Sequence, residues 1–249
     1  MPQISHIRLE QTDSTNRYLR ELASKEQALA TANDMIVVTA EYQTAGRGCG
    51  RNSWESERGK NLLFSLLCHP SHILPSQQFV LSMMISVAIT EVLKRFVAEV
   101  TIKWPNDIYV GDRKIAGILI ECMVQGGCLR DCLIGVGLNA NQTEFLSDAP
   151  NPVSLMQLIG WELDKEHLLH EILEAFQQIY TADCREDVAA KYKSLLYRRT
   201  GSWPYADKNG SFLADLVDVT DEGTLILCDK VGQERHYAFK EVAFMLATE

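Results

Sequence analysis

No Cys-x-x-Cys pair occurs anywhere in the chain, no apolar run approaches 20 residues uninterrupted, and no basic stretch opens it. Each absence excludes something. A seven-cysteine count is odd, and without paired spacings it points to reduced thiols rather than a disulfide framework. Cys128 and Cys132, the closest two in sequence, would sit roughly 13 Å apart on a strand, too far to share a zinc ion. The apolar stretch Phe79–Ile89 is interrupted by Ser82 and Ser86 and falls short of a spanning helix. The start, MPQISHIRLEQTDSTN, lacks the basic-then-apolar pattern of a signal peptide, so a cytoplasmic location is expected. Basic residues are also few: 24 Lys and Arg against 33 Asp and Glu, a net charge of −9. That balance disfavours a nucleic-acid partner, because binding to a phosphate backbone needs clustered cations.

What is present is a well-patterned globular chain of 249 residues. Asp13 or Ser14 is a good N-cap for an amphipathic helix over 13–30. Met35–Gln43 and Asn61–His69 read as strands, and between them lies a Gly/Arg loop, Gly46-Arg47-Gly48-Cys49-Gly50-Arg51. Val80–Val97 is apolar nearly all round, which predicts a helix buried on most of its surface. Four strands follow at Val100–Trp104, Asp107–Val110, Lys114–Val124 and Leu129–Asn139, with Gly111-Asp112 and Gly126-Gly127 as turns. Helices are predicted at Asp164–Tyr180, with a stripe from Leu168 to Ile179, and at Glu186–Leu196. After Arg199 the texture changes to short strands at about 212–219, 223–229 and 234–239. The expected class is α+β: a mixed, largely antiparallel sheet over residues 1–197 and a small all-β unit over 198–249.

The chemistry concentrates in Lys103-Trp104-Pro105-Asn106-Asp107 and in Lys114 and Gly117 downstream. Pro105 lacks an N–H and ends the ladder, leaving Asn106 and Asp107 at a turn. A hairpin then brings two cations, an amide and a carboxylate together beside a glycine that lets a ligand approach the backbone. Such a set suits activation of a carboxylic acid by a nucleoside triphosphate, where charge on the phosphates and leaving group must be stabilised. An ordinary hairpin with surface lysines fits the spacing equally well.

Lys103–Asp107 followed by Arg113-Lys114-Ile115-Ala116-Gly117-Ile118-Leu119-Ile120-Glu121 resembles the signature of bacterial biotin–protein ligases. Four more blocks match in order: Asp13–Asn16, Ala40–Gly48, Asn61–Ser65 and Ile134–Asn141. Together they cover residues 13–141 and are specific as a set. The resemblance implies a catalytic domain related to class II aminoacyl-tRNA synthetases and an SH3-like C-terminal domain. It implies ATP and Mg²⁺ as requirements, biotin as substrate, and a biotin carboxyl carrier domain as acceptor.

The same resemblance assigns roles. Ser14, Thr15, Asn16 and Gln43 would meet the ureido ring of biotin, whose buried urea needs uncharged donors and acceptors. Capping of the first helix by Asp13 and Ser14 is the structural alternative, and the two roles are compatible. Arg47 and Gly48 would approach the biotin carboxylate and the phosphate. Lys114 would contact the reacting carboxylate and α-phosphate, with Arg47 and Lys103 assisting catalysis. Lys103, Trp104, Asn106, Asp107 and Asn139 would hold the nucleotide, Asp107 also the metal ion; Trp104 reads equally as core. Gly117, Gly135 and Gly137 would line the pocket floor.

One block departs from the pattern. Where the family loop reads Gly-Arg-Gly-Arg-x-Gly-Arg-x-Trp, this chain has Cys49 and Asn52 in place of arginines, and Arg51 falls at the usual glycine. No phosphate role is carried onto Cys49 or Asn52, and the loop is expected to clamp an adenylate less tightly unless Arg51 compensates. His167 and His170, at i and i+3, read as a polar helix edge, and Lys191, Lys193, Arg198 and Arg199 as a solvated helix end. A lipoate ligase shares the architecture, but a dithiolane gives Ser14, Thr15, Asn16 and Gln43 little to bond. A biotin-sensing regulator needs a winged helix, for which the first motif at Asp13 leaves no room. A homodimer through an exposed strand is compatible with the pattern.

Overall fold

The computed structural model describes residues 2–25, 34–50, 52–147, 150–182 and 184–245. Its elements run β1 (Ile4–Leu9), α1 (Thr15–Lys25), β2 (Met35–Ala40), β3 (Leu62–Cys68), α2 (Phe79–Leu93), β4 (Val100–Lys103), β5 (Asp107–Val110), β6 (Arg113–Gln125) and β7 (Cys128–Leu138). There follow α3 (Leu155–Ile159), α4 (Lys165–Ala182), α5 (Arg185–Ser194), β8 (Ser202–Asp207), β9 (Gly210–Val219), β10 (Leu225–Asp229), β11 (Glu234–Tyr237) and β12 (Ala243–Phe244). The first seven strands form one sheet in the order β1-β2-β3-β7-β6-β5-β4. Only β1 and β2 pair in parallel; every other neighbouring pair is antiparallel. The last five form a second, antiparallel sheet, β11-β10-β9-β8-β12. A mixed, largely antiparallel α+β architecture is therefore what the chain adopts.

Strand alternation decides which face of the large sheet is core. Phe64, Leu66, Ile118, Ile134, Val136 and Leu138 point to the side covered by α2, which packs on β4, β5 and β6 and is itself covered by α4 and α5. The opposite side carries α1, whose Leu19 closes a small cluster with Ile36, Val38, Leu67 and Leu133. The second sheet contributes Tyr205, Leu216, Val219, Leu225 and Leu227 to the larger core cluster, so the two sheets share one apolar interior.

Several sequence expectations change. The helix expected over 13–30 is described as Thr15–Lys25; its later residues lie outside the described ones, as does Arg51. β1 went unread because Ser5, His6 and Arg8 dilute its apolar pattern, and β8 because Pro204 reads as a breaker. α3 is a five-residue turn with a reciprocal Ser154–Gln157 capping box ending at left-handed Gly160. Pro75–Leu93 is, among the described residues, long and apolar enough to cross a membrane by length and composition, because a 3₁₀ turn at Pro75–Gln77 runs into α2. It is instead 72% buried within the protein. The expectation of seven free thiols is also corrected. Cys122 and Cys132 face each other across β6 and β7, Cα to Cα 4.2 Å, and are joined as a disulfide. The direct cross-strand register, invisible in spacing, brings them together.

The two sheets are pinned through Trp104. Its Nε1 donates to the Gly223 carbonyl at 3.0 Å, and Tyr192 donates its hydroxyl to the Pro105 carbonyl at 2.7 Å. Gly223 has φ +91°, and a Cβ there would stand 2.7 Å from the Phe79 ring. Gly223→Ala is expected to destabilise the fold by about 1–3 kcal/mol, combining overpacking with a disfavoured backbone. A lower urea midpoint at unchanged slope is the predicted readout; an unchanged midpoint would mean that Phe79 yields freely.

Candidate active site

On the α1 side of the sheet, β6 and β7 present residues 117, 119 and 121 and residues 133, 135 and 137. Three of those six are glycine, which hollows the face that α1 leaves open. Gly117 pairs with Gly137, and Gly135 with both Ser65 and Leu119. The result is a cavity of about 920 Å³ that all fifteen sequence-predicted site residues line.

One end is polar and uncharged. The start of α1 supplies buried Ser14, Thr15 and Asn16. Gln43 Oε1 accepts the Thr15 backbone N–H at 2.8 Å and lies 3.2 Å from its hydroxyl, so this amide caps the helix. Asp13 or Ser14 is the expected cap of this helix; the helix begins directly after Ser14, while Asp13 accepts from the Ser14 N–H at 2.6 Å and pairs with Arg17. Ser65 Oγ lies 2.5 Å from Asn16 Oδ1 and 2.7 Å from Thr15 Oγ1. A carboxamide oxygen has no proton, so Ser65 donates to Asn16 and accepts in turn from the Thr15 hydroxyl. Asn16 Nδ2 in turn donates to Glu121 at 3.0 Å. Gly135 is required here, because a Cβ would occupy the Asn16 carboxamide. Ser65 and Glu121 sat inside the matched blocks but were assigned no role, since nothing in their spacing announces which face they share.

The other end is charged. Register places Lys103 opposite Asp107, and an irregularity between Ile108 and Tyr109 sets Tyr109 opposite Lys114. Lys114 Nζ pairs with Asp107 Oδ2 at 2.8 Å. Lys103 Nζ donates to the Tyr109 hydroxyl at 3.1 Å and lies 4.9 Å from that ring and 5.5 Å from the ring of Phe244. Burial pulls the Lys103 pKa below the ordinary lysine value; Lys114 and Arg198 push the same way, while Asp107 opposes them. Arg47 stands 3.6 Å from Glu121, which also holds Arg20. Asn106 lies at the turn as expected, whereas Trp104, also on the cavity wall, is 5% exposed and committed to Gly223. Asn139 donates Nδ2 to the Val153 carbonyl at 3.1 Å, leaving a buried Oδ1 without a partner. Among the described residues no three side chains form a metal-binding cluster, so Asp107 offers a single carboxylate to any ion.

Sequence reasoning missed Trp54. Its indole rests on the glycine floor: a Cβ on Gly117 would stand 2.9 Å from Cζ3, and one on Gly137 would meet the ring itself. Its Nε1 is buried and unpartnered. Gly46 fixes the approach, accepting the Trp54 N–H at 2.9 Å. Residues Phe145 to Ser147 form another wall, held by Glu55, which accepts the Leu146 and Ser147 N–H groups at 2.7 and 2.8 Å. Phe239, Lys240 and Val242, from the connection between β11 and β12, and Ala243 and Phe244 of β12 complete it.

Residues 9–139 match the Biotin/lipoate A/B protein ligase family. The chain belongs to that family. A biotin–[acetyl-CoA-carboxylase] ligase of Paracoccus denitrificans is 30% identical over 250 residues, covering 91% of this chain and 95% of that protein. The bifunctional ligase/repressor BirA of Bacillus subtilis is 28% identical over 235 residues, covering 90% of this chain and 70% of its own length. Among solved structures, the biotin protein ligase of Aquifex aeolicus in complex with biotin and ATP aligns with a TM-score of 0.77 at 22% identity, over 97% of this chain and 98% of that one. Membership in this ligase family accounts for the ordered blocks, and the shared fold for the sheet that carries them.

Lys103 gives a test within the fold. A lysine whose pKa is lowered by folding costs stability while it is charged, and the cost fades as pH rises through the folded value toward the unfolded one near 10.4. Lys103→Met is expected to raise Tm by a few degrees at pH 7, with a gain that shrinks toward pH 10. A variant with lower Tm across that range would contradict the assigned cost.

Proposed function

We propose that this protein is an ATP-dependent biotin–protein ligase: it forms biotinyl-5′-AMP and passes the biotinyl group to a lysine of a carboxylase carrier domain. The observation that carries the reading is the polarity of one cavity. Uncharged hydrogen-bonding groups at Ser14, Thr15, Asn16 and Gln43 occupy one end, with Ser65 bonded to Asn16 behind them, and Lys103 and Lys114 the other. A urea fits the first end, because its N–H groups and carbonyl can be matched without burying charge. The second end suits a carboxylate meeting a triphosphate.

In the first step a biotin carboxylate oxygen attacks the α-phosphorus, the bond to the bridging oxygen breaks, and pyrophosphate leaves. Lys114 and Arg47 offset charge on the reacting oxygens, which requires each to exchange its present carboxylate partner for the substrate. Lys103, held by the neutral Tyr109 hydroxyl, meets the phosphates without such an exchange. The unpartnered Asn139 Oδ1 is a fitting acceptor for an exocyclic amine such as that of adenine. In the second step a lysine ε-amine attacks the acyl carbon, the bond to AMP breaks, and an amide forms with loss of a proton.

Mg²⁺ fits as an ion bound largely through the nucleotide, with Asp107 and Asn106 as the protein's oxygen ligands. It would neutralise phosphate charge. Residues 1–197 would form the catalytic part and 198–249 the small C-terminal part. A cytoplasmic location suits the chemistry, since ATP and carrier domains meet there.

Labelled biotin incubated with a carrier domain should be transferred only when MgATP is present. No ATP-dependent transfer, or equal transfer of lipoate in direct competition, would overturn the reading. Gly135→Ala should weaken biotin binding by about tenfold or more, because the added methyl displaces Asn16. Unaltered biotin affinity by calorimetry would detach Asn16 from the urea site.

A further inference from the structure

We infer that Lys240, in the turn between β11 and β12, is a binding residue for the polyphosphate of the nucleotide. The inference rests on the adenylating role proposed above and adds to it a contact from outside the matched blocks.

The cavity's cations differ in what already holds them. Lys114 is paired with Asp107 at 2.8 Å and Arg47 faces Glu121 at 3.6 Å. Lys103 is bonded to a neutral hydroxyl. Lys240 lines the same cavity, and no carboxylate among the described residues pairs with it. Its neighbour Glu241 is turned away from it: that carboxylate accepts the Ala238 N–H at 2.8 Å, and the Glu241 N–H bonds the Ala238 carbonyl at 3.1 Å. The turn is thus closed on itself and leaves the ammonium uncompensated.

Its position is also specified. Lys240 has φ +70°, a left-handed conformation that costs a lysine about 1 kcal/mol relative to the glycine such a turn favours. From this backbone the ammonium lies 5.6 Å from the Phe239 ring centroid and fills the space beside Gly50 where a side chain on that residue would sit. Gly50 itself has φ +72° and follows the Arg47–Cys49 segment that lines the cavity. That segment and the β11–β12 turn therefore meet at a free positive charge on the cavity rim. A tri- or diphosphate is the ligand that matches it: multiply charged, accepting several N–H bonds, and in need of a cation beyond those committed to the reacting carboxylate.

The test compares the full-length protein with Lys240→Gly and Lys240→Arg, titrating MgATP, inorganic tripolyphosphate and biotin by calorimetry. Lys240→Gly should weaken MgATP and tripolyphosphate about tenfold, and Lys240→Arg should restore most of the loss. Biotin affinity should not change, and Tm should hold or rise, because glycine relieves the backbone. Equal MgATP affinity in wild type and Lys240→Gly overturns the inference, as does a wild type that binds no MgATP. A wild type that binds MgATP but releases no pyrophosphate when biotin is added overturns the adenylation reading alone, and the Lys240 comparison still decides this one.

Discussion

The structure depends on a single constraint, that one face of two adjoining strands must be bare. On β6 and β7 the sequence Ile-Gly-Val-Gly-Leu and its partner around Gly117 send apolar side chains into the α2 core and nothing to the other side. Ordinary β-branched residues at 117, 135 and 137 would pack α1 and the loop into a second full core. Glycine there weakens the strands' own packing, and neighbours on both sides hold the register: β3 against β7, and β5 against β6. The long helix α2, buried at all its residues but Phe79 and Glu91, supplies the apolar support that lets the other face stay open.

Around that floor, charge is arranged so that few cations are free. Glu121 collects Arg20, Arg47 and the Asn16 amide, and Asp107 collects Lys114. A cavity with several uncompensated cations would repel its own parts in an acidic but otherwise ordinary fold. The carboxylates hold the cations in position until a more highly charged partner displaces them. Lys103 and Lys240 are the exceptions among the described residues of the cavity, Lys103 being held by aromatic faces and a hydroxyl rather than by a counter-charge.

Most of the site was legible because it lies in contiguous motifs. The Lys103–Asp107 hairpin, the start of α1 and the paired glycines each carry a local reason for their residues, and the fold brings every one to the same cavity. What escaped was set by register and by distant contacts. Trp54 follows a loop with no periodicity, and only the strand pairing reveals that Gly117 and Gly137 lie beneath it. Trp104 has the same residue type but the opposite fate, because its Nε1 reaches a carbonyl 119 positions away. The Cys122–Cys132 pair depends on a register that the Gly126-Gly127 turn fixes but does not spell out. The small strands β1, β8 and β12 owe their existence to neighbours rather than to their own pattern.

The indole of Trp54 has a thermodynamic consequence. Because an aromatic ring already rests on Gly117 and Gly137, that part of the floor is covered by apolar surface before any substrate arrives. A ligand reaching it exchanges one apolar contact for another, so the gain from water release there is small. Discrimination then falls on the hydrogen-bonding groups at the margins, where a wrong ligand leaves the buried Asn139 Oδ1 unpaired at full cost. The ring makes the floor a level reference against which the polar ends of the cavity are read.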